Sequence, residues 1–159
     1  MSIKSAVKKF LRNGKIRGLL KKSRVGATTD LVLFSIHRNP EALRVYDAVK
    51  AIFMQSSHYI LGSVGERYIS LIVNEHNHDY IVKYFGKYIF AIEKKVACIT
   101  VHCSETELVP GVITYITSIL SDKSVNMHEF FTSQDEIILV IDEEQAFDYV
   151  SYLKEIFQA

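Results

Sequence analysis

The chain has two prolines, Pro40 and Pro110, 70 residues apart, and each opens a helix-like segment directly after a strand-like one. Around them the same order of elements occurs twice. In the first pass, Leu31 to His37 is a β-rich apolar run. Pro40 then begins a stretch with apolar residues at Ala42, Val45, Tyr46, Val49, Ile52 and Phe53, which is helical spacing. His58 to Val64 and Arg67 to Asn74 read as a hairpin across Gly65-Glu66, Asn77 to Tyr88 as a second helix with Tyr80, Ile81 and Tyr84 inward, and Ile89 to Glu93 as a strand. In the second pass, Val96 to Cys103 is a strand, and Val109, Val112, Ile113, Ile116, Ile119 and Leu120 mark a helix. Val125 to Thr132 and Glu136 to Ile141 follow as a hairpin, and Ala146, Phe147, Val150, Leu153 and Phe157 mark the last helix. A 159-residue chain that repeats itself once, with 48% hydrophobic residues, has material for two small cores.

Each unit reads strand, helix, strand, strand, helix, strand. This predicts an α+β fold: two tandem ferredoxin-like βαββαβ units, each an antiparallel sheet with helices on one face. The expected boundaries are an arm at 1–29, a first unit at 30–95 and a second at 96–159. The second unit ends without its final strand. A fourth strand must come from the stretch near Ile16 to Val25, from the first unit or from another chain, and an unpaired edge favours a homodimer.

The second unit, from the run Val96 to Val101 through Val109-Pro110-Gly111-Val112, Ile116 to Leu120, Ser124-Val125-Asn126-Met127 and Glu136 to Glu143, closely resembles an ACT domain. In particular it resembles the carboxyl-terminal regulatory region of aspartokinases. The resemblance covers the second unit and, more loosely, the first; nothing resembles a kinase domain. It implies that a small amino-acid effector binds between paired units through the Pro-Gly loop and the asparagine. The site residues carried over are Glu107, Leu108, Val109, Pro110, Gly111, Val112, Asn126 and Met127.

Elementary chemistry gives these residues the same role. Proline at a first helical position is pre-set in φ and has no N–H to leave unpaired, and glycine beside it admits a ligand close to the backbone. The free N–H groups of a helix start and its dipole favour a carboxylate at Gly111 and Val112. Glu107 can answer an α-amino group, and the Asn126 amide can bridge ligand and loop. Pro-Gly at a helix start and Asn at a turn also occur for purely local reasons. The first unit departs from the pattern: Arg38-Asn39-Pro40-Glu41-Ala42 has no glycine, Glu41 would repel a carboxylate, and the Asn126 position falls near Ser56 to His58. A structural role is expected there.

Charge is unevenly spread. Residues 1–26 hold nine basic residues and no acid: Lys4, Lys8, Lys9, Arg12, Lys15, Arg17, Lys21, Lys22 and Arg24. Since the whole chain has 19 basic and 18 acidic residues, the remainder carries 10 basic against 18 acidic. Ile3, Val7, Phe10 and Leu11 share a helical face with Ser2 as N-cap and Gly14 as stop, predicting a basic amphipathic helix. Such an arm either contacts an anionic partner, nucleic acid or a membrane surface, or lays its apolar stripe on its own acidic body or a partner subunit. Phe10 is its one aromatic, and it is too short for a three-helix DNA-binding unit.

Catalytic constellations are weak. Glu75-His76-Asn77-His78-Asp79 offers imidazoles and carboxylates, but zinc sites usually draw ligands from two separated places and only one is evident, so Asn77 or Asp79 is read as a helix cap. His102 and Cys103 are adjacent and point to opposite sides of a strand, as do Cys98 and Cys103. Phosphate loops, a serine elbow and a Cys-X-X-Cys pair are absent. No enzyme activity, cofactor or metal is expected. No apolar run reaches the ~20 residues of a membrane span, and no secretory signal is visible. The expectation is a stand-alone, cytoplasmic, dimeric regulator that senses an amino acid and signals to a partner by conformational change. The alternative is a ligand-free interaction or scaffold module whose basic arm contacts nucleic acid or a protein.

Overall fold

A computed structural model describes residues 14–103 and 111–159. The chain divides into two compact units, an inserted unit formed by Thr29–Val96 and a host unit formed by the residues on either side of it. The elements in chain order are α1 (Gly14–Lys22), β1 (Arg24–His37), α2 (Pro40–Met54), β2 (Ile60–Val64), β3 (Tyr68–Asn74), α3 (His78–Phe85), β4 (Ile89–His102), α4 (Val112–Asp122), β5 (Met127–Thr132), β6 (Glu136–Asp142) and α5 (Glu143–Gln158). Strands β1 and β4 each run through the chain positions where one unit gives way to the other.

The inserted unit is a four-stranded sheet in the order β2-β3-β1-β4, with α2 and α3 as its helices. The antiparallel register pairs Leu31 with Asn74 and His37 with Tyr68 along β1 and β3, and Ile60 with Val73 along β2 and β3. Alternate residues Val32, Phe34 and Ile36 of β1 and Ile69, Leu71 and Val73 of β3 enter one core with Tyr46, Val49 and Phe53 of α2 and Ile81 and Phe85 of α3. Period-two strands facing period-3.6 helices make this a two-layer packing. Tyr84 of the expected α3 stripe is 47% exposed, and Phe85 takes its place inside.

The host unit has the same plan, with strand order β1-β4-β6-β5. β1, whose residues 24–28 belong to the host unit, takes the place of the strand that the second repeat lacks; of the stretch Ile16 to Val25 weighed from the sequence only Arg24 and Val25 lie in it, the rest up to Lys22 being helix. Ala97, Ile99 and Val101 of β4 and Ile137, Leu139 and Ile141 of β6 pack against Val112, Ile116 and Ile119 of α4 and Leu153 and Phe157 of α5. Phe147, expected in the α5 stripe, is 80% exposed, because the inward face of that helix runs through Ala146, Tyr149, Leu153 and Phe157.

The basic N-terminal segment differs from its expectation. Ser2, Ile3, Val7, Phe10 and Leu11 lie outside the described residues, and Gly14, read as a helix stop, is where the described helix begins. Ile16, Leu19 and Leu20, at i, i+3 and i+4, are buried in the host core, each burial contributing about 1.5–3 kcal/mol. Lys15, Arg17, Lys21 and Lys22 occupy the exposed face of the same helix. The helix ends at Ser23, whose N–H donates to the Leu20 carbonyl at 3.0 Å and whose hydroxyl donates to the Leu19 carbonyl at 2.9 Å.

Sequence reading also separates Ile89–Glu93 from Val96–Cys103, whereas β4 is continuous. Lys95 carries the interruption as a left-handed residue at φ 56°, and Asp30 in β1 has the same φ of 56°. Cys98 and Cys103 are both buried, and neither is in a disulfide. Among the described residues, no helix is long and apolar enough to cross a membrane.

Candidate functional site

Gly111 stands at the N-terminus of α4 in a left-handed conformation, φ 95° and ψ −6°. Its carbonyl accepts the first helical bond, from the Tyr115 N–H at 2.9 Å. The N–H groups of the first turn precede any partner within the helix, and glycine has no side chain to cap them. Val112 is fully buried in the host core and anchors this helix start. Glu107, Leu108, Val109 and Pro110 lie outside the described residues, as do Lys4, Lys8, Lys9 and Arg12.

The repeat-related helix start in the inserted unit is closed by its own side chains. Asn39 Oδ1 accepts the Glu41 N–H at 3.1 Å and the Ala42 N–H at 2.9 Å, with Pro40 in the first turn. The Glu41 carboxylate accepts the Tyr88 hydroxyl and has Lys87 Nζ 4.0 Å away. An oxygen acceptor and an anion already occupy the positions where a ligand carboxylate would dock.

At the other end of α4 the chain turns through a left-handed Ser124, φ 54°. The Val125 N–H donates to the Leu120 carbonyl at 3.0 Å and the Ser124 N–H to the Ser121 carbonyl at 3.1 Å, a Schellman closure with serine where glycine is usual. Asn126 follows exposed, and Met127, 37% exposed, begins β5 opposite Ile141. The strand is irregular between Met127 and Glu129. Within that irregularity His128 Nε2 lies 2.8 Å from Asp142 Oδ1.

Gly111 and Asn126 therefore flank an 11-residue helix, about 16 Å long at 1.5 Å per residue. One amino acid cannot touch both ends of one such helix. Gly111-Val112 and Asn126-Met127 meet at a single ligand only when different copies of the chain contribute them.

A cavity of about 440 Å³ lies among α1, α4 and α5, with Tyr115, Ile119 and Tyr152 on its walls and Arg17 and Asp122 among its polar lining residues. Arg17 donates to the Ala159 carbonyl, and Lys123 Nζ sits 3.7 Å from the centroid of the Tyr152 ring. Burial, and then the neighbouring Tyr152, push the Tyr115 hydroxyl above the ordinary tyrosine pKa. None of the sequence-predicted ligand residues among those described lines this cavity. The signal for it was the Ile16, Leu19, Leu20 spacing, which puts α1 on the host.

No protein-family profile matches the sequence, and no curated protein sequence matches it. Solved structures do match its fold. The aspartate kinase of Clostridium acetobutylicum superposes with a TM-score of 0.69 at 16% identity, over 84% of this chain and 34% of the kinase. The ligand-free regulatory subunit of aspartate kinase from Thermus thermophilus superposes at 0.64 with 13% identity, over 84% of this chain and 96% of that one. Aspartokinase III of E. coli, in a T-state complex with lysine and aspartate, gives 0.61 and 12%, over 85% of this chain and 33% of that one. The chain thus has the tandem ferredoxin-like, ACT-type fold of aspartokinase regulatory regions, and spans about a third of the length of the complete kinases.

Proposed function

We propose that this chain is a non-catalytic regulatory protein that binds an amino acid between paired ACT-type units and passes the signal to a partner protein by a change in their arrangement. The observation that carries the reading is the contrast between its two helix starts. Asn39 and Glu41 fill one with an amide oxygen and a carboxylate, while Gly111 has no side chain with which to cap the other. A ligand carboxylate docks on the first-turn N–H groups of α4, and Asn126 and Met127 from another copy close over its other side. The E. coli neighbour, described in complex with lysine and aspartate, supports an amino acid as the ligand class. The separation of Gly111 from Asn126 by the length of α4 supports a homodimer. The composition and the two reduced, buried thiols fit a cytoplasmic setting.

The test is a thermal-shift screen against the twenty amino acids. A ligand that binds only the native state adds RT ln(1 + [L]/Kd), about 2.7 kcal/mol at a hundredfold excess over Kd. A raised melting temperature for one or a few amino acids, lost in both Gly111→Val and Asn126→Ala, is the expected result. A flat response to all twenty overturns it.

The row of cations on the exposed face of α1 favours a second reading, an interaction module that contacts nucleic acid or an acidic partner protein. Salt-dependent binding to a duplex or an acidic peptide, weakened by Lys21→Glu, would carry that reading without any amino-acid ligand.

A further inference from the structure

We propose that the inserted unit holds a divalent transition-metal ion, of the zinc, nickel or copper class, on His58 Nδ1, His76 Nε2 and the side-chain amide of Asn77. The sequence offered one cluster of ligands, at 75–79. The hairpin supplies the second place: the register of β2 on β3 puts Ile60 opposite Val73, and the Tyr59 N–H donates to Asn74 Oδ1 at 2.7 Å. His58, just before β2, is thereby held against the turn of 3-10 helix Glu75–Asn77 just after β3. Asn77 and Asp79, read from the sequence as helix caps, do not serve so: the Asn77 side chain caps nothing, and Asp79 Oδ1 lies 2.9 Å from His78 Nδ1.

The three polar atoms form a nearly equilateral triangle. His58 Nδ1 and His76 Nε2 are 3.2 Å apart, and the Asn77 amide atom is 3.3 Å from each. Hydrogen bonds alone cannot satisfy this arrangement. A neutral imidazole nitrogen is either a donor or an acceptor. If both are acceptors, the Asn77 NH₂ serves both and two lone pairs oppose each other across the His58–His76 edge. If one donates to the other, the single amide atom at the third corner matches one histidine and opposes the other, whether it is nitrogen or oxygen. One edge always fails.

A cation facing the triangle resolves all three edges at once, with both imidazole lone pairs and the amide turned to present Oδ1. Ligand atoms 2.0–2.1 Å from a tetrahedral ion stand about 3.3–3.4 Å from one another, close to the distances found. Imidazole donors select borderline transition ions over magnesium or calcium. Among the described residues no group of three His, Cys, Asp or Glu side chains is suited to a metal, so the site is distinguished by its amide corner. His58 and His76 are exposed, which leaves the remaining positions to water. The site shares no residue with Gly111–Met127 and stands or falls independently of the amino-acid reading.

The experiment is a calorimetric titration of the tag-free full chain, stripped with chelator, with Zn²⁺, followed by NMR of the imidazole nitrogens. The expected result is one saturable Zn²⁺ per chain that moves the ring signals of His58 and His76 and leaves those of His37, His102 and His128 in place. His58→Ala and His76→Gln should each weaken binding at least tenfold, and Asn77→Asp, which puts a carboxylate at the third corner, should tighten it at least tenfold. The His102→Gln control should bind as the parent does. Absence of saturable binding, retention of parental affinity in either histidine variant, or an Asn77→Asp chain that binds no more tightly overturns the proposal. If one histidine variant fails to fold, the parent spectra and Asn77→Asp decide.

Discussion

The hydroxyl of Tyr46 in α2 stands 2.7 Å from the point where a Cβ on Gly62 would lie, and the Ser70 carbonyl oxygen stands 3.0 Å from it. Glycine at the middle of β2 is thus a packing requirement of the inserted unit. Gly62→Ala should cost about 1–3 kcal/mol in urea unfolding, because both the ring and the backbone of β3 must yield. Adding Tyr46→Phe should recover only part of it, since the ring edge itself is 3.0 Å from the same point. A Gly62→Ala chain as stable as the parent would contradict this packing.

The two helix starts predict losses of different origin. Asn39→Ala removes the acceptor of two backbone N–H groups and should cost about 1 kcal/mol, with Asn39→Asp retaining most of the stability. Gly111→Ala removes no hydrogen bond but places a Cβ on a residue at φ 95°, and should cost about 1–2 kcal/mol. Paired denaturation curves measure both.

Helix α1 belongs to the host core. Leu19→Ala should therefore destabilise the chain by about 2–4 kcal/mol, while Lys21→Ala on the opposite face should change stability by less than about 0.5 kcal/mol. Equal, small effects would contradict the packing of Leu19 in the host core.

Several phenols predict an alkaline limit. Burial pushes the Tyr149 hydroxyl far above its ordinary pKa of 10.0, where it donates to the Ile116 carbonyl at 3.4 Å. Burial and then Asp47 raise Tyr46, and burial and then Tyr152 raise Tyr115. A raised native pKa means that the unfolded chain loses these protons first. The stabilisation is complete below about pH 10 and is lost as pH rises toward the native values. Phenolate absorbance should show these three tyrosines ionising together with unfolding above about pH 10. The Cys103 thiol should behave likewise from about pH 9, raised by burial first and also by Asp135, with the Ser23 hydrogen bond opposing.

The apolar runs Leu31 to Phe34 and Ile137 to Ile141, together with the prolines, made both repeats legible, because a strand buried on both faces reads as a continuous apolar run and a helix must return every three to four residues. The run Arg24 to Asp30 was not read as strand, since Gly26 and two threonines break its apolar pattern. Glu93, Lys94 and Lys95 likewise hid the continuity of β4 behind charge. Gly111 and Asn126 were legible as a helix start and a turn, but their separation by α4 needed the helix boundaries. His58 was missed as a partner of His76 because nothing local links residues 18 apart; only the register of β2 on β3 does.

The passage of β1 and β4 between the units also fixes an order of events during synthesis. Residues 24–28 emerge from the ribosome long before the rest of the host unit, which begins again at Ala97, and closing so long a loop unaided is slow. The inserted unit is continuous in sequence and can fold as soon as Val96 has emerged, with β1 already beside β4. Its completed sheet then acts as a clasp, holding the two loose ends of the host together so that the second core closes around a short tether.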